Sequence, residues 1–183
     1  PRDMVAADCL PVPALTAPMP DTDKLDACVD EVLQRLAQAA APVLMVGVEV
    51  RRFGLENKVA ELARRLGLPV VTTFMGRGLL AEAEAPLIGT YMGVAGTPQV
   101  TQLVESSDAL LMLGVIVCDT NFAVSQKTID MRKAIQAVDA QLSIGHHSYA
   151  NVSLADLVDH LLQRVQATDK HYAVARQVFP RGL

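Results

Sequence analysis

With 183 residues the chain is long enough for one well-cored domain and too short for two of ordinary size. Hydrophobic residues make up 51% of it but aromatic ones only 4%, with no Trp, so the core must be built from Val, Leu, Ile, Ala and Met, a palette that suits helices stacked on a buried parallel sheet. The net charge of −4, with basic residues scattered, gives no electrostatic footprint for nucleic acid or an anionic membrane, and no apolar run approaches membrane-spanning length.

The opening PRDMVAADCL has neither a basic n-region nor a continuous apolar h-region, and it starts on Pro rather than Met, which points to a boundary within a longer polypeptide. Cys9, Cys28 and Cys118 are odd in number and include no CxxC pair, so a reducing cytoplasm is the expected compartment. Residues 1–20 carry Pro11, Pro13, Pro18 and Pro20 and read as a proline-rich interdomain linker. Asp21 or Thr22 then caps a helix whose Leu25, Cys28, Val29, Val32, Leu33 and Leu36 recur at helical spacing, ending before Pro42.

PVLMVGVEV is a short apolar strand closed by glycine, followed by a helix from about Gly54 that Gly67 stops. PVVTTF repeats the strand, and MGRGLL reads as a turn with a short helical stretch. AEAEAPLIGTYMGVAG reads as a loop leading to a helix from about Thr97 to Ser106. ALLMLGVIV is a further buried strand, CDTNFAVSQKTIDM a long polar segment, and KAIQAVDA and QLSIGHH two more strands. Ser153 caps a last helix carrying Leu154, Leu157, Val158, Leu161 and Leu162. The alternation predicts an α/β fold: a three-layer, doubly wound, Rossmann-like domain over residues 21–166, with a mostly parallel sheet of about six strands. Residues 167–183 read as a linker or tail.

Ligands of doubly wound sheets bind at the carboxyl ends of the strands. Those ends carry Gly47, Glu49, Arg51 and Arg52, then Gly76, Arg77 and Gly78, then Cys118, Asp119, Thr120 and Asn121. Glycine turns beside arginines suit a phosphate or carboxylate, because bare amides approach an anion closely and guanidinium grips it in bidentate fashion. Equally, the glycines make ordinary turns while the arginines face solvent or a neighbouring domain. GRGLLA formally fits the dinucleotide fingerprint, but it does not open a full helix in the first βα unit, and Pro86 follows soon. His146 and His147 are adjacent and, in a strand, point to opposite faces, which does not suit a shared metal. His160 and His171 read as solvated, and Cys118 has no cationic neighbour to activate it. No G-x-S-x-G elbow, Walker A sequence or HExxH is present.

PVVTTFMGRG, LIGTYMGVAG and DALLMLGVIVCDTNF, in this order and spacing, resemble the central domain of thiamine-diphosphate enzymes. The likeness covers about Asp21 to Val165. VEVRRFGLENKV and the stretch from DTNF to DLVDHLL are similar to the indolepyruvate and phenylpyruvate decarboxylase branch. The resemblance implies a polypeptide with a pyrimidine-binding domain before this domain and a diphosphate-binding domain after it. Thiamine diphosphate and Mg²⁺ would be held by those other domains, with no cofactor or metal held in this chain and no catalytic residue of its own. It further implies a homo-oligomer when full length. The activity implied is decarboxylation of an aryl 2-oxo acid to an aldehyde, with the central domain structural or regulatory. Arg51, Arg52, Arg77, Asp119 and Asn121 are the expected interdomain or effector contacts. The alternative is a nucleotide-binding central domain, for FAD or ADP, as in acetolactate synthase. That branch has an arginine and paired aspartates where this sequence has Val115, Ile116, Val117, Cys118 and a single Asp119, a departure that counts against FAD. A free-standing oxidoreductase using GRGLLA would need a substrate domain for which the chain has no room.

Overall fold

Apolar runs that end on glycine make strands that must be covered on both faces, and the amphipathic segments between them supply the cover. The computed structural model describes residues 21–81, 87–122 and 129–165. The predicted linker and tail lie outside the described residues.

Helix α1 (Thr22–Gln38) opens where the Asp21 carboxylate accepts the Lys24 N–H at 3.1 Å. Strand β1 (Pro42–Val46) follows, then a single helical turn α2 (Glu49–Arg52) and helix α3 (Glu56–Leu66). Gly67 ends α3 at φ 65°, the left-handed conformation that a side chain would strain. Next come β2 (Val70–Thr73), β3 (Leu87–Tyr91), a 3₁₀ turn (Gly93–Ala95), helix α4 (Pro98–Glu105) and β4 (Ala109–Leu113). The short α5 (Asp119–Phe122), a 3₁₀ turn (Met131–Lys133), β5 (Ala134–Val138), β6 (Gln141–Ile144), β7 (His147–Ala150) and α6 (Leu154–Arg164) complete the order. Ser153 caps α6, its Oγ accepting the Asp156 N–H at 3.0 Å.

The sheet order is β3-β2-β1-β4-β5-β6-β7, parallel from β3 to β5 and antiparallel through β6 and β7. The chain runs outward from β1 in one direction and then, with β4, in the other, so the winding reverses between β1 and β4. Helices α1, α3 and α6 pack on one face against Leu44, Val46, Leu111, Leu113 and Ile135. Helix α4 and Phe122 pack on the other, against Val43, Met45, Val71, Leu110 and Met112. Each such Leu or Val, fully buried, contributes roughly 1.5–3 kcal/mol, which explains why all five residues of β1 and of β4 are apolar and buried.

The doubly wound, mostly parallel sheet agrees with expectation, with seven strands in place of about six. Two strands were not expected. LIGTY, read as loop, is β3, an edge strand tied to β2 by its ladder and by a 3.1 Å hydrogen bond between the Thr72 and Thr90 hydroxyls. Its Gly89, where a Cβ would lie 2.9 Å from the Val100 side chain, lets α4 come close and also blurs the strand pattern. QLSIGHH breaks at Gly145, φ 59°, and His147 begins β7. His146 therefore sits in the turn and His147 on the new strand. No helix forms over MGRGLL, where Gly78 and Leu80 both take positive φ. No helix of the described residues is long and apolar enough to cross a membrane.

Candidate functional site

The parallel strands bring all the predicted residues to one end of the sheet. Its centre is closed by backbone: the Gly47 N–H donates to Leu113 O at 2.9 Å, and a Cβ on Gly47 would lie 2.0 Å from Gly114 O. The loops after β1 and β4 thus touch at their roots, where the winding reverses, and separate only above.

Glu49, which opens α2, is 3% exposed. Its carboxylate accepts the Asp139 N–H at 3.1 Å and an Arg52 guanidinium N–H at 3.4 Å. It thereby anchors the β5–β6 turn, in which Asp139 and Ala140 hold φ of 49° and 56° without being glycine. Asn121 is buried too, and cross-links the other two loops. Its Oδ1 accepts the Met75 N–H at 3.0 Å, and its Nδ2 donates to Ile116 O at 2.7 Å.

The five sequence-predicted residues therefore share an end but not a role. Asn121 is internal scaffolding. Arg52 is held by Glu49, and Arg51 pairs with Glu56 at 3.2 Å. The guanidinium of Arg77 lies 5.7 Å from the Phe74 ring centroid, and among the described residues it forms no ion pair. Asp119 is exposed at the start of α5. Arg51, Asn57 and Gly78 face one another across a groove of about 460 Å³.

Sequence reasoning passed over the apolar members of this end. Phe53, Phe74, Met75 and Val117 are 51%, 39%, 46% and 45% exposed. The available signal was an apolar residue at each strand exit, where polar turn residues are the rule. GRGLLA presents turns rather than a helix start, so no helical amides meet a pyrophosphate there.

Elsewhere, Glu31 of α1 accepts the Tyr149 hydroxyl at 2.8 Å and sits 2.9 Å from His147 Nδ1, clamping the β7 edge. The hydrogen bond to Glu31, with burial and the carboxylate charge, pushes the Tyr149 phenol up to about 12. Burial pushes the Cys28 thiol up to about 11, which leaves it protonated and unreactive. His160 donates its Nδ1–H to Asp156 O at 3.0 Å on α6, and Cys118 is half-buried. Among the described residues no three His, Cys, Asp or Glu side chains converge on one point.

The sequence profile of the thiamine pyrophosphate enzyme central domain matches residues 29–165. The chain is 58% identical over 170 residues to an indole-3-pyruvate decarboxylase of Azospirillum brasilense, covering 93% of the chain and 31% of that protein. It is 30% identical to pyruvate decarboxylase 4 of Arabidopsis thaliana, covering 94% and 29%. It is 29% identical to pyruvate decarboxylase 2 of Nicotiana tabacum, covering 94% and 28%. The chain spans about a third of the length of these curated relatives.

Proposed function

The chain belongs to the thiamine pyrophosphate enzymes, as their central domain, and from that premise we propose that it serves a decarboxylase of aryl 2-oxo acids, indolepyruvate or phenylpyruvate, that releases the aldehyde and CO₂. The observation that carries this reading is the 58% identity to the Azospirillum protein across nearly the whole chain. Thiamine diphosphate and Mg²⁺ are bound by the pyrimidine-binding and diphosphate-binding domains of the same polypeptide, which acts in the cytoplasm as a homo-oligomer. No step of the reaction passes through the described residues. Their part is to hold those two domains at a fixed separation, with Arg51, Arg52, Arg77 and Asp119 facing them and Asn121 bracing the loops that carry the contacts.

The test is decarboxylation of phenylpyruvate and indolepyruvate by the full polypeptide with thiamine diphosphate and Mg²⁺, compared with the 183-residue chain alone. Aldehyde release by the first and not the second is expected. Decarboxylation by the isolated chain would overturn the division of labour, and inactivity of the full polypeptide on both acids would overturn the substrate class.

A second reading rests on the polar groove of about 460 Å³ beside Arg51 and Gly78, which would take an adenine nucleotide. A ligand specific to the folded state raises apparent stability, so this reading requires millimolar ADP or FAD to raise the melting temperature. An unchanged melting curve rejects it.

A further inference from the structure

Seven large apolar side chains are exposed among the described residues: Phe53, Phe74, Met75, Leu87, Val94, Val117 and Met131. Scattered single exposures need no explanation, but these are not scattered. Phe53 follows α2, Phe74 and Met75 follow β2, Val94 follows β3 and Val117 follows β4, so five of the seven lie at the carboxyl end of the sheet. The loops that carry them are braced from beneath. Asn121 ties the Met75 loop to Ile116, beside Val117, and a Cβ on Gly76 would lie 2.9 Å from Val46 O. Apolar groups are thus held outward by buried polar bonds, the reverse of what stability alone favours. Arg77, three residues after Phe74, lies over its ring and is without an ion pair among the described residues.

An apolar centre, aromatic and Met-containing, with one arginine in it is the composition of a protein interface core. The curated relatives carry about two-thirds of their length outside the segment matched here, so protein surface able to cover this end is part of the same kind of polypeptide. We infer that the carboxyl-end rim around Phe53, Phe74, Met75 and Val117 is a docking face for a flanking domain of its own polypeptide, whose contacting surface is apolar and places a carboxylate opposite Arg77. The inference rests on the central-domain reading above and deepens it by naming the face, the occupant and the charge. Phe53 and Phe74 act as anchors. Arg77, paired to a carboxylate and excluded from water, fixes the register.

The experiment uses the full polypeptide with the photo-crosslinking residue p-benzoylphenylalanine at Phe53 or Phe74, and at the exposed Ser106, which ends α4 at the amino end of the sheet, as control. Adducts from the first two positions, but not the third, to residues outside 21–165 of the same polypeptide are expected. Arg77→Glu should lower their yield several-fold, and Arg77→Lys should largely restore it. In parallel, Arg77→Glu should speed amide exchange over residues 74–81 and leave α4 unchanged, a readout that does not depend on the inserted residue. Adducts confined to this domain, adducts to a second copy, or exchange over 74–81 that Arg77→Glu leaves unaltered would each overturn the inference. Phenylpyruvate decarboxylation is assayed on the same preparation. Activity without the expected adducts rejects the docking face and leaves the decarboxylase standing, and adducts without activity do the opposite.

Discussion

The two ends of the sheet are built on opposite plans. At the amino end, where β1 and β4 begin, the Asp108 carboxylate accepts the N–H groups of Ala40 and Ala41 at 2.7 and 2.9 Å, and the Ser107 hydroxyl donates to Ala41 O at 2.9 Å. Short polar side chains there close the backbone upon itself. At the carboxyl end the loops are packed backbone to backbone through Gly47, Gly76 and Gly114, and apolar side chains are turned outward. Among the described residues, the non-glycine residues with positive φ, Leu80, Asp139, Ala140 and Asn151, all lie in loops at this end, following β2, β5 and β7. Each such residue costs on the order of 1–3 kcal/mol and persists only where its surroundings hold it. One end closes the backbone upon itself, and the other carries positive-φ loops and exposed apolar side chains.

Substitutions can break or sharpen that contrast. The largest effect is expected from Gly47→Ala, because the new Cβ meets the Gly114 backbone rather than a side chain that could move, and urea unfolding should show a loss of about 4 kcal/mol. Asn121→Ala removes a buried side chain that holds the Met75 N–H and Ile116 O, and should cost about 3 kcal/mol with faster amide exchange across residues 74–78. At the opposite end Asp108→Ala should cost about 1–2 kcal/mol, since the N–H groups it leaves can find water. Burial raises the Asp108 pKa, but hydrogen bonds from Ala40 and Ala41 outweigh it and hold the carboxyl below its ordinary value. A depressed folded pKa contributes stability above the unfolded value, near about 4, and loses it as pH falls through the folded one, so wild type and Asp108→Ala should converge in acid.

Ala140→Gly should raise the unfolding free energy by about 0.5–1 kcal/mol, because glycine relieves φ 56° where no other change is made. The smallest effect is expected from Arg77→Ala, within about 0.5 kcal/mol for the domain itself, since an exposed guanidinium without an ion pair among the described residues supports little of the fold. A loss of more than about 2 kcal/mol there would mean that the rim is structural after all and the contrast between the ends is false.

Much of this architecture was legible in the residues. VLMV and ALLML have no polar position, so they had to be covered on both faces, and Gly67 and Ser153 marked helix ends by their own chemistry. The strand-end residues were found by the same logic, since parallel strands deliver their exits to one edge. What escaped was whatever depends on a neighbour. Leu87–Tyr91 is a strand because β2 offers it a ladder, and its Gly89 and preceding Pro86 argue against that locally. His147 belongs to a different strand from Ile144 because Gly145 turns the chain back and Glu31 receives the returning edge. Asn121 was read as a contact residue and is a brace, a distinction that only its burial decides.

The sequence by itself determined the layering and the sense of the sheet, because the spacing of apolar residues states which faces must leave water, and glycine states where the chain must turn. Only the tertiary structure decided which residues at the strand ends are spent on holding the loops and which remain outward. That choice depends on distances between segments far apart in the chain, Glu49 to Asp139 and Asn121 to Met75 among them, and no local pattern records those distances.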